Sequence, residues 1–234
     1  MSDTTDSSNP TSPPPSDRVR LRRKRERGSH DRAVIDEILD EALIAHLGIV
    51  DEDGQPFVIP TLHARHDDLV YLHGSTASRA LRALAVGTPV CLTVTLIDGL
   101  VLARSAMHHS ANYRSVMLLG EATSVERPAE KLAAFEAIVE HIVPGRWRDV
   151  RPPTDNELKA TAVLAIPIDE VSAKIRVGQP MDDEQDYSLP AWAGLIPLVT
   201  QALAPQPDPG LRTGTVPPTY VSDYRRTGSP RPRR

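Results

Sequence analysis

The sequence is poor in cysteine and in aromatic residues. One cysteine, Cys91, occurs among 234 residues, so the chain can form no internal disulfide and no cluster of thiolate metal ligands. Phenylalanine, tryptophan and tyrosine together make up 4% of the residues. No apolar run is long enough to cross a membrane, and the N-terminus lacks the apolar core of a secretory signal. These absences predict a cytoplasmic protein.

Several motifs that define common enzyme classes are also missing. The sequence has no HExxH zinc motif, no G-x-S-x-G nucleophile elbow, no P-loop and no G-x-G-x-x-G fingerprint. Zinc proteases, hydrolases built on that elbow, P-loop nucleotide hydrolases and Rossmann-type enzymes are therefore disfavoured. Eight histidines are present, but their spacing predicts no metal site.

Proline and basic residues gather at the two ends of the chain. This composition predicts disordered tails over residues 1–21 and 201–234, around one folded domain over residues 22–200. The net charge of −4 does not favour a nucleic-acid partner.

The stretch LVYLHGSTASRALRAL, residues 69–84, reads as a strand, a turn and the start of a helix extending to residue 86. Ser75, Ser78 and Arg79 lie around the predicted helix start, where free backbone N–H groups, hydroxyls and a guanidinium suit a phosphate. A second interpretation is simpler: the hydroxyls cap the helix and the arginine is solvated.

The rest of the domain reads as short strands joined by tight turns. Asp53-Gly54 and Asp98-Gly99 are hairpin signals, and residues 90–97 alternate between apolar and polar faces. Apolar residues at helical spacing follow Asp31 and predict a helix there. A second helix is predicted over residues 128–142, and a capping box at Thr154 predicts the start of a third. About seven strands in hairpin order predict a mainly β fold, a β-barrel or sandwich with flanking helices.

Four long strings carry a resemblance to a known family. LVYLHGSTASR, DGLVLARSAMHHSANYRSVMLLGEA, VPGRW and SAKIRVGQP, in this order, resemble the pyridoxamine 5′-phosphate oxidase-like flavin-nucleotide-binding proteins, and in particular their nitroimidazole-resistance branch. The resemblance implies an FMN-binding split β-barrel, a homodimer with flavin at the subunit interface, and an oxidoreductase that acts on a small molecule.

The same resemblance implies a set of cofactor-binding residues. The strand around Val58 would run along the isoalloxazine, residues 73–75 would line the ribityl and phosphate path, and Ser78 with Arg79 would hold the phosphate. Ala80 stands where the family often has a lysine, which removes one cationic contact. The full set is Val58, Pro60, Thr61, Leu62, His73, Gly74, Ser75, Ser78, Arg79, Asn112, Arg114, Trp147 and Lys174.

Alternatives remain for both the residues and the function. Trp147 would also serve as a core anchor, and Arg114 or Lys174 as a member of an ion pair. Split barrels of this kind also resemble haem-binding and deazaflavin-binding relatives, with His73 or His108 as candidate haem ligands. A non-enzymatic binding or sensing module, with basic tails on an acidic partner, is the alternative from a different class.

Overall fold

The computed structural model describes residues 12–77, 84 and 86–226, and its architecture is mainly β. The strands are β1 (Gly28–Ser29), β2 (Ile44–Val50), β3 (Pro56–His66), β4 (Leu69–Ser75), β5 (Val86–Leu102), β6 (Ser110–Ser124), β7 (Thr161–Pro167), β8 (Glu170–Arg176) and β9 (Gly194–Pro197). The α-helices with both ends in the described residues are α1 (Arg32–Glu41), α2 (Pro128–Ile142), α3 (Asp155–Ala160) and α4 (Thr219–Ser222).

The strands form one antiparallel sheet that closes on itself. The order is β1-β8-β6-β7-β4-β3-β2-β5-β9, and β6 also pairs with β5. The strands from β6 through β7, β4, β3 and β2 to β5 therefore form a ring, while β8 and β9 extend it at two edges. This topology confirms the predicted split β-barrel with flanking helices.

Apolar side chains from the strands and from α1 fill the inside of the barrel. Ile35, Ile38 and Leu39 recur at helical spacing and are fully buried against the strand residues of the main core. Asp31 caps this helix, because its carboxylate accepts a hydrogen bond from the backbone N–H of Ala33 at 2.9 Å. The predicted cap is therefore confirmed.

A second, smaller core lies on the outside of the barrel. Ala134 and Ile138 of α2 pack against Tyr71 of β4 and against Val163 and Ala165 of β7. Helix α2 begins and ends where the sequence predicted. It covers part of the outer face of β3 and β4, and so forms a wall beside the residues that follow Tyr71 along β4.

One of the two predicted hairpins is confirmed and the other is wrong. Asp53-Gly54 joins β2 to β3, and Gly54 has a φ of +80° that favours glycine. At Asp98-Gly99, by contrast, β5 continues through a register shift next to Gly99. A Cβ on Gly99 would lie 3.0 Å from the carbonyl oxygen of Ile196, so close approach of β9 explains this glycine.

Parts of both predicted tails contact the barrel or the helices that flank it. Val19 is buried, with 1% of its surface exposed, and Arg18 pairs with Glu170 of β8 at 2.7 Å. Near the other end, Tyr224 and Arg226 bond to the ends of α1 and α2. Because these segments are polar and basic, their composition alone does not indicate the few side chains that make these contacts.

No helix among the described residues is long and apolar enough to span a membrane.

Candidate cofactor site

Five of the residues predicted for the cofactor lie together on the outer face of β3 and β4. Strand alternation places Val58, Pro60 and Leu62 on the same face as His73 and Ser75. Val58 is 67% exposed, so the part of this face that α2 does not cover is open and apolar. Such a surface suits a flat aromatic ligand.

Thr61 and Gly74 occupy the opposite positions of the same two strands. The hydroxyl of Thr61 donates to the carbonyl oxygen of Leu62 at 3.1 Å. Gly74 pairs with Ala162 of β7. Their side-chain positions therefore face away from the surface that carries His73, and any cofactor contact on that surface would use their backbone.

His73 is the most distinctive group on this face. Its ring meets Phe135 of α2 edge to face, with centroids 5.9 Å apart, and its Nδ1 atom is buried without a hydrogen-bond partner among the described residues. Burial lowers the pKa of His73. The imidazole is therefore neutral near pH 7, which is the form that coordinates a metal.

The turn after β4 is partly described. The Ser75 hydroxyl accepts from the backbone N–H of Ala77 at 3.1 Å, and Thr76 donates to the carbonyl oxygen of Ala160 through both its hydroxyl and its N–H. Ser78 and Arg79, the predicted phosphate-binding pair, lie outside the described residues. Their role stays a prediction.

Lys174 lies in a different place, at a cavity of about 320 Å³ on the outer side of β5, β6 and β8. Polar side chains line the sheet wall of this cavity: Thr93, Thr95, Ser115 and Ser172. The segment from Arg18 to Leu21 covers the other side. Arg18 is paired with Glu170, whereas Lys174 has no ion-pair partner among the described residues. A free ammonium among hydroxyls suits an anionic group.

Asn112 is buried beside an arginine that the sequence interpretation missed. Its Oδ1 accepts from Nη1 of Arg176 at 2.5 Å, and the carbonyl oxygen of Gly178 lies 3.4 Å from the same nitrogen. Arg176 is 8% exposed and forms no ion pair with a carboxylate in the described parts of the chain. Burial and the charge of Arg27 lower its pKa. Arg176 stands two positions after Lys174 in the string SAKIRVGQP, so this string could have identified it as a candidate site residue.

Arg114 is engaged by two carboxylates of its own chain. Its guanidinium pairs with Glu41 of α1 and with Asp98 of β5, the latter at 2.7 Å. Hydrogen bonds to these carboxylates raise the pKa of Arg114. With its donors occupied, Arg114 has little to offer a cofactor, and the arrangement favours the alternative of an ion pair.

Trp147 takes part in the end of α2. Its backbone N–H donates to Glu140 at 2.8 Å, and the N–H of Gly145 donates to the same carboxylate at 2.5 Å. Gly145 has a φ of +87°, which favours glycine in this turn. The string VPGRW therefore forms the turn that ends α2, with the Trp147 side chain half-buried beside it.

His108, the second candidate haem ligand, belongs to a polar cluster with Asp182 and Asp186. Their potential ligand atoms lie within 4.8 Å of one another. Asp182 already accepts from the backbone N–H groups of Arg104 and Ser105, and pairs with the Arg104 guanidinium at 3.2 Å. A cation would have to compete with that guanidinium, so the cluster is better explained as an anchor for the turn before β6.

Comparison with known proteins agrees with the topology. The family model described as pyridoxamine 5′-phosphate oxidase matches residues 31–175. The chain therefore belongs to this family. A search of the curated proteins finds no match.

Three solved structures relate the chain to particular members. The flavocytochrome Anf3 from Azotobacter vinelandii is 42% identical over 91% of this chain and 98% of its own, with a TM-score of 0.85. The FAD and haem binding protein from Mycobacterium smegmatis is 37% identical over 84% of this chain and 96% of its own, with a TM-score of 0.80. A protein assigned to 5-nitroimidazole antibiotic resistance in Bacteroides thetaiotaomicron is 26% identical over 63% and 86%, with a TM-score of 0.54.

Proposed function

We propose that this chain is a flavocytochrome-type oxidoreductase that binds both a flavin and a haem. The observation that carries the proposal is His73: a neutral, half-buried imidazole on an open apolar face, without a partner for its buried nitrogen. A haem needs such a ligand and such a surface. The 42% identity to a flavocytochrome supports the presence of both groups.

For the haem, His73 would be the residue that holds the iron. Its Nδ1 is the buried nitrogen, so Nε2 is the one available to the iron. Phe135 fixes the ring from one side, and Pro60 and Leu62 supply apolar surface on the neighbouring strand. His108 is the weaker candidate because its imidazole lies 3.7 Å from the buried carboxylate of Asp182.

For the flavin, the proposed contacts come from two copies of the chain. Val58 and Ser75 lie on the β3 and β4 face, whereas Lys174 lies at the cavity beside β5, β6 and β8. A homodimer would let one subunit supply the first set and its partner the second, as the resemblance implies. Ser78 and Arg79 remain the proposed phosphate contacts.

The flavin is proposed to be FAD. The sequence predicted FMN, but a relative that is 37% identical is named for binding FAD and haem. When bound, the flavin supplies two-electron chemistry and the haem one-electron transfer. The chain would bind and orient both groups, and a small-molecule reductant and acceptor would complete the reaction.

The test is an absorption spectrum of the purified protein, followed by release and mass measurement of its flavin. A Soret band together with flavin absorption, and a released mass equal to that of FAD, is the expected result. A released mass equal to that of FMN would restore the sequence prediction. A colourless protein that takes up neither added haemin nor added FAD would overturn the proposal and favour the non-enzymatic alternative.

A further inference from the structure

The C-terminal segment of residues 219–226, named here the C-terminal clasp, closes on the ends of two helices. Arg226 donates from Nε to the carbonyl oxygen of Glu41 at 2.8 Å and from Nη2 to that of Asp40 at 3.0 Å. Its Nη1 donates to the carbonyl oxygen of His141 at 2.5 Å. The last carbonyls of a helix have no partner within the helix, so one guanidinium satisfies the ends of both α1 and α2.

Two tyrosines hold the clasp to the end of α2 and to the segment that follows it. The Tyr224 hydroxyl donates to the carbonyl oxygen of Ile142 at 2.9 Å, and the Tyr220 hydroxyl donates to Asp149 at 2.6 Å. Arg146 in turn donates to the Tyr220 hydroxyl at 3.3 Å. The segment therefore meets the body of the protein at three successive points, although its composition predicted a disordered tail.

A pair of histidines lies beneath the clasp. Nη2 of Arg226 lies 3.0 Å from Nε2 of His141, and the His141 ring lies 5.0 Å from that of His63. His63 is completely buried and bonds through Nε2 to the carbonyl oxygen of Leu39 at 3.0 Å. Burial is the largest cause that lowers the pKa of each histidine.

The charged groups around this pair come from every neighbouring element. Arg226 belongs to the clasp, Asp40 to the end of α1 and Arg65 to β3. Asp40 is itself paired with Arg65 at 2.6 Å, so its charge is shared. Two guanidiniums near one imidazole favour a neutral His141, and a neutral His141 tolerates Arg226 in contact with it.

The clasp is connected to the His73 face through two elements. Helix α2 carries His141 near its end and Phe135 about two turns earlier, where Phe135 contacts His73. Strand β3 carries His63 next to Leu62, which lies on the His73 face. A shift of α2 at its C-terminal end would therefore move Phe135 relative to His73.

We propose that Arg226 is a positioning residue for the cofactor face: by joining the ends of α1 and α2, the C-terminal clasp holds Phe135 against His73. This inference rests on the proposed haem site at His73 for its functional consequence. The contacts of the clasp itself do not depend on that site.

The experiment compares Arg226→Met with Arg225→Met in the full-length protein. Arg225 is the neighbouring exposed arginine, and it bonds to the carbonyl oxygen of Tyr224 alone among the described residues, so its substitution removes the same charge without opening the clasp. Binding of added haemin is measured from the Soret band, and the imidazole titrations of His63 and His141 are followed by NMR without cofactor. We expect Arg226→Met to weaken haemin binding by about fivefold or more and to change both titrations. Arg225→Met should do neither.

Two further variants keep the test decisive if Arg226→Met does not fold. Arg226→Lys retains a donor and a charge, and should restore part of the haemin affinity. Tyr224→Phe removes a single hydrogen bond of the clasp, and should weaken haemin binding in the same direction. Unchanged haemin binding and unchanged histidine titrations in the foldable variants would overturn the positioning role. If the unaltered protein binds no haemin, the proposed haem site is wrong. The NMR titrations of His63 and His141 then test whether Arg226 holds the ends of α1 and α2 together.

Discussion

The imidazole of His73 and the ring of Phe135 meet edge to face, at 5.9 Å and 69° between planes. The contact joins a barrel strand to the helix that packs outside it. It orients a histidine whose Nδ1 is buried without a partner in the described part of the chain. A fixed, neutral imidazole at the border between a packed core and an open apolar face is well placed to bind a metal centre.

Substitution of His73 should remove the proposed haem and spare the proposed flavin. We expect His73→Ala to lose the Soret band, because the only contact proposed to the iron is gone, while flavin absorption persists. His66→Ala is the matched control, since His66 is an exposed histidine at the far end of β3, beside the turn to β4. A Soret band that survives in His73→Ala and disappears in His108→Ala would instead assign the haem contact to His108, in the polar cluster with Asp182.

Lys174 should contribute to flavin binding through charge. Removing one charge-assisted contact to an anionic group should raise the Kd for added FAD by about tenfold in Lys174→Met. Lys159→Met on α3 is the control, because Lys159 is an exposed lysine away from the cavity lining. The Kd of each variant for FAD is measured from the quenching of FAD fluorescence. Equal affinities in the two variants would remove Lys174 from the site.

Arg114 should matter for stability and not for cofactor binding. Arg114→Met leaves Glu41 and Asp98 without their partner, and we expect a loss of about 2 kcal/mol in the free energy of unfolding, less than for a fully buried pair. Denaturant unfolding measures the loss, and FAD titration of the folded variant should match the unaltered protein. A large rise in the Kd for FAD would instead support the cofactor contact predicted from the sequence.

Sequence patterns predicted the barrel well because its local signals agree with its packing. Asp31, Gly54 and the capping box at Thr154 all mark real boundaries. Asp98-Gly99 misled because the same dipeptide that suits a tight turn also suits a bulge where another strand approaches closely. Only the pairing register of the sheet distinguishes a hairpin turn from a bulge at this dipeptide.

The site was harder to predict than the fold, since side chains that look alike in sequence have different partners in space. Arg114 and Arg176 lie on the paired strands β6 and β8, but Arg114 faces two carboxylates and Arg176 faces an amide and carbonyl oxygens. Arg226 lies in a stretch with the composition of a tail, and nothing local indicates the helix ends that it joins. Such contacts depend on which distant segments meet.

The buried histidine pair should make the protein less stable in weak acid. His63 has a pKa lowered from 6.5 to about 4, so the unfolded state binds its proton first. Stability is therefore complete above about pH 6.5 and is lost as the pH falls towards 4, by about 3 kcal/mol for this residue. Thermal unfolding across this range measures the loss. His63→Gln, which keeps a donor for Leu39, should flatten the slope relative to the unaltered protein, and an unchanged slope would contradict this assignment.

Disruption of the proposed homodimer should weaken the proposed flavin site without a change at the site itself. Leu100 and Ile196 pair across β5 and β9 and are 43% and 44% exposed, which forms an apolar patch with Leu198. If a second copy covers this patch, Ile196→Arg should give a monomer by light scattering, whereas Val216→Arg, at a residue 77% exposed, should not. Because the proposed flavin contacts come from two subunits, the monomer should also lose affinity for FAD. A monomeric Ile196→Arg protein with full FAD affinity would show that one chain is sufficient for the site.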